Sequence, residues 1–293
     1  MSNQRNTKTP ALSHEQAMDL MAAWKEPPFL TLPWHETLRL RMSQALRGES
    51  SFAVVGAPGT GKSEAVRRTI RRIERELWEA ASGGSALEVR SSPVLLYTGS
   101  KAEGSKTSLI NLLEMARGGL TMTTSEIRRH SPSSLLTAIV SELREREIRL
   151  VCTDEAQMMN ETNLDLLRQV VDRGRDEGHP VCLGLIGTPD LMRNLERIQQ
   201  AGQRVAWDIR AHPLSLADFR EFLPGFHPLL PSVMEEVGTK KWTPLIARLH
   251  MHTLGKFRRI KDMLQGANAV ALKLNQPLDA EILEGSATDL ARE

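Results

Sequence analysis

The residues best suited to chemistry form a glycine-rich run, G-A-P-G-T-G-K-S, at positions 56–63. Glycines let the backbone curl so that successive N–H groups point at phosphate oxygens, and a helix starting at Lys62 adds its positive dipole end. Lys62 would reach the β- and γ-phosphates, and the Ser63 hydroxyl would bind Mg²⁺. The predicted Mg-ATP contacts are Gly56, Ala57, Pro58, Gly59, Thr60, Gly61, Lys62, Ser63 and Glu64.

Two acids, Asp154 and Glu155, directly follow the apolar run 149–153. Carboxylates at the C-terminal end of a parallel strand face the ligand crevice of such a sheet. We expect Asp154 to hold Mg²⁺ and Glu155 to orient or polarise the attacking water, because phosphoryl transfer depends mostly on positioning and electrostatics. The alternative is that either acid caps the following helix.

A polar residue, Thr188, follows the apolar run 181–187. A hydroxyl at this strand end would sit between the γ-phosphate and the water held by Glu155. Thr188 is therefore the candidate sensor of the γ-phosphate. It is also a candidate cap for a helix starting at Pro189, and one hydroxyl can serve both purposes.

Several basic residues would reach the phosphates only from elsewhere in the protein or from another subunit. Arg204 precedes the weaker strand 205–211 and Arg210 lies at its end, where an arginine of a neighbouring subunit would stabilise the transition state. Arg204 is the preferred candidate. Lys256 opens a helix after Gly255 and would touch the phosphates from a lid; the alternative is a simple surface charge.

Other basic residues suggest weaker sites. Lys101 and Lys106 lie in a glycine-containing loop that would contact DNA phosphates in a ring or filament, although two lysines in such a loop more often form a solvated turn. The cluster at 128–130 is equally ambiguous. The arginines of the helix after Lys62 alternate with glutamates, which favours a solvated, ion-paired face. The net charge of +2 is nearly neutral, so any DNA contact must come from a local patch.

The spacing of apolar runs indicates what positions these residues. Strands separated by helix-length segments predict βαβ crossovers and a parallel α/β sheet covered on both faces. After about residue 215 the strand pattern disappears and helical periodicity continues. The predicted strands are 51–55, 93–98, 149–153, 181–187 and 205–211. Ser13, with Gln16 three residues on in the capping-box position, is predicted to cap a short helix through residue 24, and Ser131 followed by Pro132 marks another helix start. The other predicted helices are 34–47, 62–80, 108–117, 163–177, 189–200, 216–223, 232–237, 243–252 and 256–274, and the one that starts at 131–132 runs to about 147.

The chain of 293 residues is long enough for one α/β domain and a smaller appendage. We expect an N-terminal extension (1–30), an ATPase core (31–213), a helical lid (214–275) and a C-terminal tail (276–293). Cys152 and Cys182 lie in predicted strands and are expected to be buried, inert thiols. No apolar run of 18 residues and no apolar leader occurs, which predicts a soluble, cytoplasmic protein without a membrane partner.

The ordered motifs GAPGTGKS, VCTDEAQ, LIGTPDL, PLSLADF and HTLGKFRRI resemble the AAA+ regulators of DNA transposition of the TniB/TnsC/MuB type. Ala156-Gln157 matches the pair that often follows the acids in that family, and Gly187-Thr188 matches its fourth-strand end. The segment 214–219 matches its Leu-Ser-x-x-Asp-Phe stretch. The resemblance covers about residues 30–270, and its ATPase motifs are the more specific ones.

The resemblance implies a P-loop AAA+ domain with five parallel strands in the order 5-1-4-3-2 and a small C-terminal helical lid. It also implies a homo-oligomeric ring or helical filament on duplex DNA, with slow, assembly-dependent ATP hydrolysis. Its partners would be a transposase and a target-selection protein. Lys62, Ser63, Asp154, Glu155 and Arg204 take the roles given above. Lys256 and Thr153 depart from the family, which more often has arginine and a small aliphatic residue there.

Other classes remain open at this point. A secretion-linked or signalling AAA+ ATPase would share the nucleotide site but need a membrane or an additional partner domain. A small-molecule kinase of this fold would not need Glu155 to activate water. Helicase-loading and initiator-like relatives would also bind DNA.

Overall fold

The computed structural model describes residues 12–82, 92–99, 105–123, 125, 129–198 and 205–292. The chain forms two compact units. We call Thr31–His212 the sheet unit, and Met1–Leu30 with Pro213–Glu293 the helical unit. Within the described part of the chain, every helix is too short or too polar to cross a lipid bilayer.

Five strands form a single parallel sheet in the order β2-β3-β4-β1-β5. This order confirms the one expected from the sequence. Every residue of β1 and β4 is buried, because a parallel sheet carries helices on both faces. The strands are β1 Ser51–Gly56, β2 Val94–Thr98, β3 Leu150–Asp154, β4 Cys182–Gly187 and β5 Val205–Ala211.

The helices begin and end close to the predicted positions. Local signals explain several starts: Ser131 caps α5 ahead of a proline, and Asn160 caps α6. The helices are α1 His14–Ala23, α2 Pro33–Leu46, α3 Lys62–Ser82, α4 Ser105–Ala116, α5 Pro132–Glu145, α6 Glu161–Asp176, α7 Asp190–Arg197, α8 Leu216–Phe222, α9 Leu230–Val237, α10 Thr239–Thr253, α11 Phe257–Leu274 and α12 Ala280–Leu290.

A large apolar cluster of the sheet unit lies on one face of the sheet. Tyr97 and Val151 of the strands pack there with Leu113 and Ile139 of α4 and α5. Alternate strand residues point to the opposite face. There α2 and α3 pack against β1. Helices therefore cover both faces of β1, the strand that leads into the glycine-rich loop.

The two cysteines are buried in neighbouring strands. Cys152 lies in β3 and Cys182 in β4, and both thiols are free. Burial raises the pKa of both thiols, so both stay protonated and unreactive at neutral pH. The prediction of inert thiols is confirmed.

The helical unit contains α1 and α8 to α12. α1 begins with the predicted capping box of Ser13 and Gln16, and it packs against α11. The segment expected to be a C-terminal tail instead contains α12, which packs against α10 and α11. Asp279 caps this helix, and Ile282 and Leu283 are buried. The pattern was missed because Gly285 interrupts a short segment and lowers its helix propensity.

Candidate nucleotide site

The glycine-rich loop connects the end of β1 to the start of α3. Gly59 and Gly61 have φ values of 81° and 86°, a region that favours glycine. A Cβ on Gly56 would lie 2.2 Å from the carbonyl oxygen of Ala211 in β5, so no larger residue fits. The curled backbone predicted from the sequence thus depends on both local conformation and the neighbouring strand.

Lys62 is buried beneath this loop, with 9% of its surface exposed. Its Nζ donates hydrogen bonds to the carbonyl oxygens of Gly56 at 2.7 Å and Ala57 at 2.9 Å. Burial lowers the pKa of Lys62, and the carboxylates of Glu155 and Asp154 act in the opposite direction. A desolvated ammonium facing neutral carbonyls would gain strongly from a phosphate anion.

The two motifs meet at a single hydrogen bond. Ser63 Oγ donates to Asp154 Oδ1 at 3.0 Å, across 91 residues of sequence. The same Oδ1 accepts the backbone N–H of Glu155 at 3.0 Å. Arg67 Nη2 lies 3.7 Å from the other carboxylate oxygen of Asp154. The acids that end β3 therefore lie beside the glycine loop.

This arrangement fits a magnesium ion bound together with a triphosphate. Ser63 Oγ and the Asp154 carboxylate are hard oxygen donors, and Mg²⁺ in nucleotide sites takes few protein ligands beside waters and phosphate oxygens. The described residues contain no group of three or more His, Cys, Asp or Glu side chains that could hold a metal alone. A metal at this site would thus depend on the nucleotide.

Glu155 has an unusual backbone. Its φ of 53° and ψ of 35° place a non-glycine residue in the left-handed region, a strain often found at functional sites. Its exposed carboxylate accepts a hydrogen bond from Gln157 Nε2 at 2.6 Å. Asn160 caps the following helix α6, so the alternative that Asp154 or Glu155 serves as its cap is wrong.

Thr188 follows the last residue of β4. Its backbone N–H donates to Gln157 Oε1 at 3.2 Å, and its hydroxyl points to Asp190 Oδ2 at 3.4 Å. Helix α7 has Pro189 at its N-cap and no side-chain cap. The hydroxyl therefore does not cap α7, which removes the structural alternative and leaves the sensor role a prediction.

Other predicted residues are placed as follows. Arg204 and Lys101 lie outside the described residues, as does Arg128. Arg210 lies in β5, where its Nε donates to Asp208 Oδ2 at 3.1 Å and its side chain is 73% exposed. Lys106 is half-buried in the first turn of α4.

Glu64 pairs with Arg68 along the exposed side of α3 at 2.6 Å, as an ion-paired face predicts. Lys256 belongs to the helical unit and occupies the N-cap of α11 without capping it through its side chain. The preceding Gly255 has a φ of 63°. A Cβ there would lie 2.1 Å from the Leu214 carbonyl oxygen. The close contact between Gly255 and Leu214 therefore fixes the position of Lys256 at the start of α11.

Two residues of the site were not singled out from the sequence. Arg67 was counted among the solvated arginines of α3, but its guanidinium faces Asp154. The available signal was spacing, since Arg67 follows Ser63 by four residues and so shares its helix face. Gln157 was noted only as part of the family resemblance. No sequence pattern indicates that its amide contacts both Glu155 and Thr188.

Comparisons with known proteins agree with this fold. No curated protein matches the sequence. The Aeropyrum pernix ORC2 protein, solved as ADPNP-ADP complexes, is 16% identical over 92% of this chain and 71% of its own, with a TM-score of 0.62. CDC6P from Pyrobaculum aerophilum is 17% identical over 93% and 70%, also with a TM-score of 0.62.

A third similar structure is the Aeropyrum pernix ORC1 protein in complex with DNA. It is 19% identical over 90% of this chain and 66% of its own, with a TM-score of 0.61. At such identities the likeness establishes the fold alone. A model of a protein family described as "AAA domain" matches residues 45–195, which include the glycine loop, both acids and Thr188. This chain therefore belongs to the AAA domain family.

Proposed function

We propose that this protein is a Mg-dependent ATPase that assembles on duplex DNA and regulates transposition by recruiting or activating a transposase. The hydrogen bond between Ser63 and Asp154 carries the ATPase part of this proposal, because it joins the phosphate loop to the acids of β3. The DNA and transposase parts are supported by the motif resemblance described above.

In this proposal each residue has a separate task. The N–H groups of the glycine loop and the ammonium of Lys62 bind the phosphates, and Ser63 with Asp154 would hold Mg²⁺, which neutralises phosphate charge. Glu155 orients the attacking water. An exposed carboxylate beside the metal ligand is well placed for this, since catalysis here depends on positioning rather than covalent chemistry.

Further contacts come from parts of the protein beyond the loop. We propose that an arginine of a neighbouring subunit, Arg204 or else Arg210, approaches the γ-phosphate and makes hydrolysis depend on assembly. Thr188 would sense the γ-phosphate and Lys256 would contact the nucleotide from the helical unit. Lys101 and Lys106 would contact DNA phosphates. The exposed guanidinium of Arg210 is compatible with reaching another molecule.

Replacing Glu155 with Gln separates binding from hydrolysis. E155Q should retain ATP binding and lose turnover by about 100-fold or more, because the amide cannot accept a proton from water. A kinase would instead keep transferring phosphate to its acceptor. Unchanged ATP hydrolysis in E155Q would refute the assigned role of Glu155.

Electron microscopy with duplex DNA tests the assembly. We expect rings or helical filaments with DNA and a non-hydrolysable ATP analogue, and none with the nucleotide omitted. Adding a candidate transposase should then raise strand transfer in an ATP-dependent manner. A protein that stays monomeric and ignores DNA with every nucleotide would refute the DNA part.

A second candidate is an AAA+ ATPase of another DNA transaction, such as replication initiation. It is favoured by fold similarity to the archaeal ORC and CDC6P structures and to domain III of the Thermotoga maritima replication initiation protein DnaA, at 12% identity and a TM-score of 0.53. Sequence preference distinguishes the two candidates. A transposition regulator should coat unrelated DNA sequences equally, whereas an initiator should prefer particular sites.

A further inference from the structure

The turn after β3 brings a third polar side chain to the two acids. Because Glu155 adopts a left-handed conformation, the chain bends directly into a short 3-10 turn, Ala156–Met158. The Met158 N–H donates to the Glu155 carbonyl oxygen at 2.8 Å, which closes this turn. The turn thereby brings the Gln157 side chain back beside Glu155.

The Gln157 amide spans two elements of the sheet unit. Nε2 donates to Glu155 Oε2 at 2.6 Å, and Oε1 accepts the backbone N–H of Thr188 at 3.2 Å. These partners determine which way the amide faces. The reverse orientation would set an amide N–H against the Thr188 N–H, and a carbonyl oxygen against a carboxylate.

The surroundings restrict the amide further. A Cβ on Gly187 would lie 2.6 Å from Gln157 Oε1, so only glycine leaves room for the amide at the end of β4. Asn194 Nδ2 of α7 also donates to the backbone carbonyl of Gln157 at 3.3 Å. The backbone and side chain of Gln157 are thus both held by elements other than β3.

We propose that Gln157 is a positioning residue that ties the Glu155 carboxylate to the backbone at the end of β4. This inference rests on the proposed role of Glu155 in ATP hydrolysis. An exposed carboxylate on a strained turn samples several rotamers in water, and a charge-assisted hydrogen bond selects one of them. The position of the carboxylate then depends on the strand that ends at Thr188, which is the predicted sensor.

The test compares Gln157→Leu, Gln157→Asn and Gln157→Glu. Leu removes both hydrogen bonds at similar size, Asn is too short to span both partners, and Glu keeps the acceptor but repels Glu155. All three should lower kcat between about 10- and 100-fold, since a displacement near 1 Å costs that much. Affinity for a non-hydrolysable ATP analogue and KM should stay within about two-fold, because no phosphate contact changes.

A double-mutant cycle separates positioning from general structural damage. Gly187→Ala should also lower kcat, because its methyl group displaces the amide. If both substitutions act through the Gln157 amide, Gly187→Ala combined with Gln157→Leu should lose no more than Gln157→Leu alone. Equal kcat in wild type and Gln157→Leu would overturn the inference, as would losses that multiply in the double variant.

A control shows whether a negative result refutes the positioning role of Gln157 or the proposed ATPase function. Wild-type and E155Q proteins are assayed in parallel, with thermal unfolding recorded for every variant. If wild type does not hydrolyse ATP, the proposed function fails. If wild type is active, E155Q is inactive and Gln157→Leu is fully active, only the positioning role fails.

Discussion

Buried polar side chains occur in both units, but they are organised differently. Around Lys62 in the sheet unit the groups are charged: an ammonium, the Asp154 carboxylate and, at its edge, the Arg67 guanidinium. Around His227 in the helical unit the buried groups are neutral. The first cluster leaves charges incompletely paired, whereas the second pairs each ring nitrogen of His227 once.

The helical-unit cluster forms a short chain of hydrogen bonds. The Leu229 N–H donates to His227 Nδ1 at 3.2 Å, so the other ring nitrogen carries the proton and donates to Asn268 Oδ1 at 3.2 Å. Asn268 Nδ2 then donates to the Met21 carbonyl oxygen of α1 at 3.1 Å. Burial lowers the pKa of His227 to about 4, with the Asn268 hydrogen bond acting in the opposite direction.

The difference between the charged and the neutral cluster indicates two roles for buried polar side chains. Neutral groups that satisfy one another stabilise one packing of α1 against α11. Buried charged groups with unused capacity for hydrogen bonds and ion pairs lower the free energy of unfolding, because their partners only partly offset the cost of desolvation. The unused capacity remains available for a ligand.

Lys62→Ala gives the largest expected effect. ATP turnover should fall at least about 1,000-fold, which corresponds to about 4 kcal/mol, because the desolvated ammonium proposed to bind phosphate is lost. The free energy of unfolding should change by less than about 1 kcal/mol, since removing a buried ammonium also removes its desolvation cost. Steady-state hydrolysis and urea unfolding measure the two quantities, with the exposed Arg71→Ala on the same helix as control.

Asn268→Ala should produce the opposite result. It leaves the His227 N–H and the Met21 carbonyl oxygen without their partner, so the free energy of unfolding should fall by about 3 kcal/mol. Basal ATP turnover per folded molecule should change by less than about two-fold. Val270→Ala on the solvent side of α11 is the matched control. An Asn268→Ala protein as stable as this control would mean that the neutral cluster contributes nothing.

Acid should weaken the helical-unit cluster specifically. The folded pKa of His227 is about 4 against 6.5 as the ordinary value, so its contribution is fully present above pH 6.5 and declines below it. Between pH 7 and 4.5 the loss should be about 2 kcal/mol. Urea unfolding across this range measures it. In His227→Gln the loss of unfolding free energy between pH 7 and 4.5 should be smaller by about 2 kcal/mol. Equal losses in the two proteins would contradict the role of His227.

Arg67→Ala is expected to have the smallest effect. Its guanidinium is 46% exposed and lies 3.7 Å from Asp154, so solvent screens most of the attraction. Without that positive charge, the Mg²⁺ concentration for half-maximal ATPase activity should decrease about two- to five-fold. A magnesium titration measures this, with Arg71→Ala as control. An increase would mean that Arg67 helps to hold the nucleotide instead.

Much of the fold could be predicted because its signals are local. Apolar runs placed all five strands, and Ser131 with Pro132 marked the start of α5. The run G-A-P-G-T-G-K-S singled out Lys62 and Ser63 as candidate phosphate and magnesium contacts, because this order of residues is typical of phosphate-binding loops. Helix α12 was missed for an equally local reason, the glycine inside its short pattern.

Residue types and their order in the sequence specify the kind of chemistry, a phosphate loop and two acids after a strand. Which polar atoms meet depends on how the sheet unit folds, as for Ser63 with Asp154 and for Gln157 with both Glu155 and Thr188. These contacts join the ends of strands that are distant in the sequence: β3 and β4 are neighbours in the sheet, and β4 alone separates β3 from β1. Sequence periodicity records which face of an element is buried, but not which other element covers it.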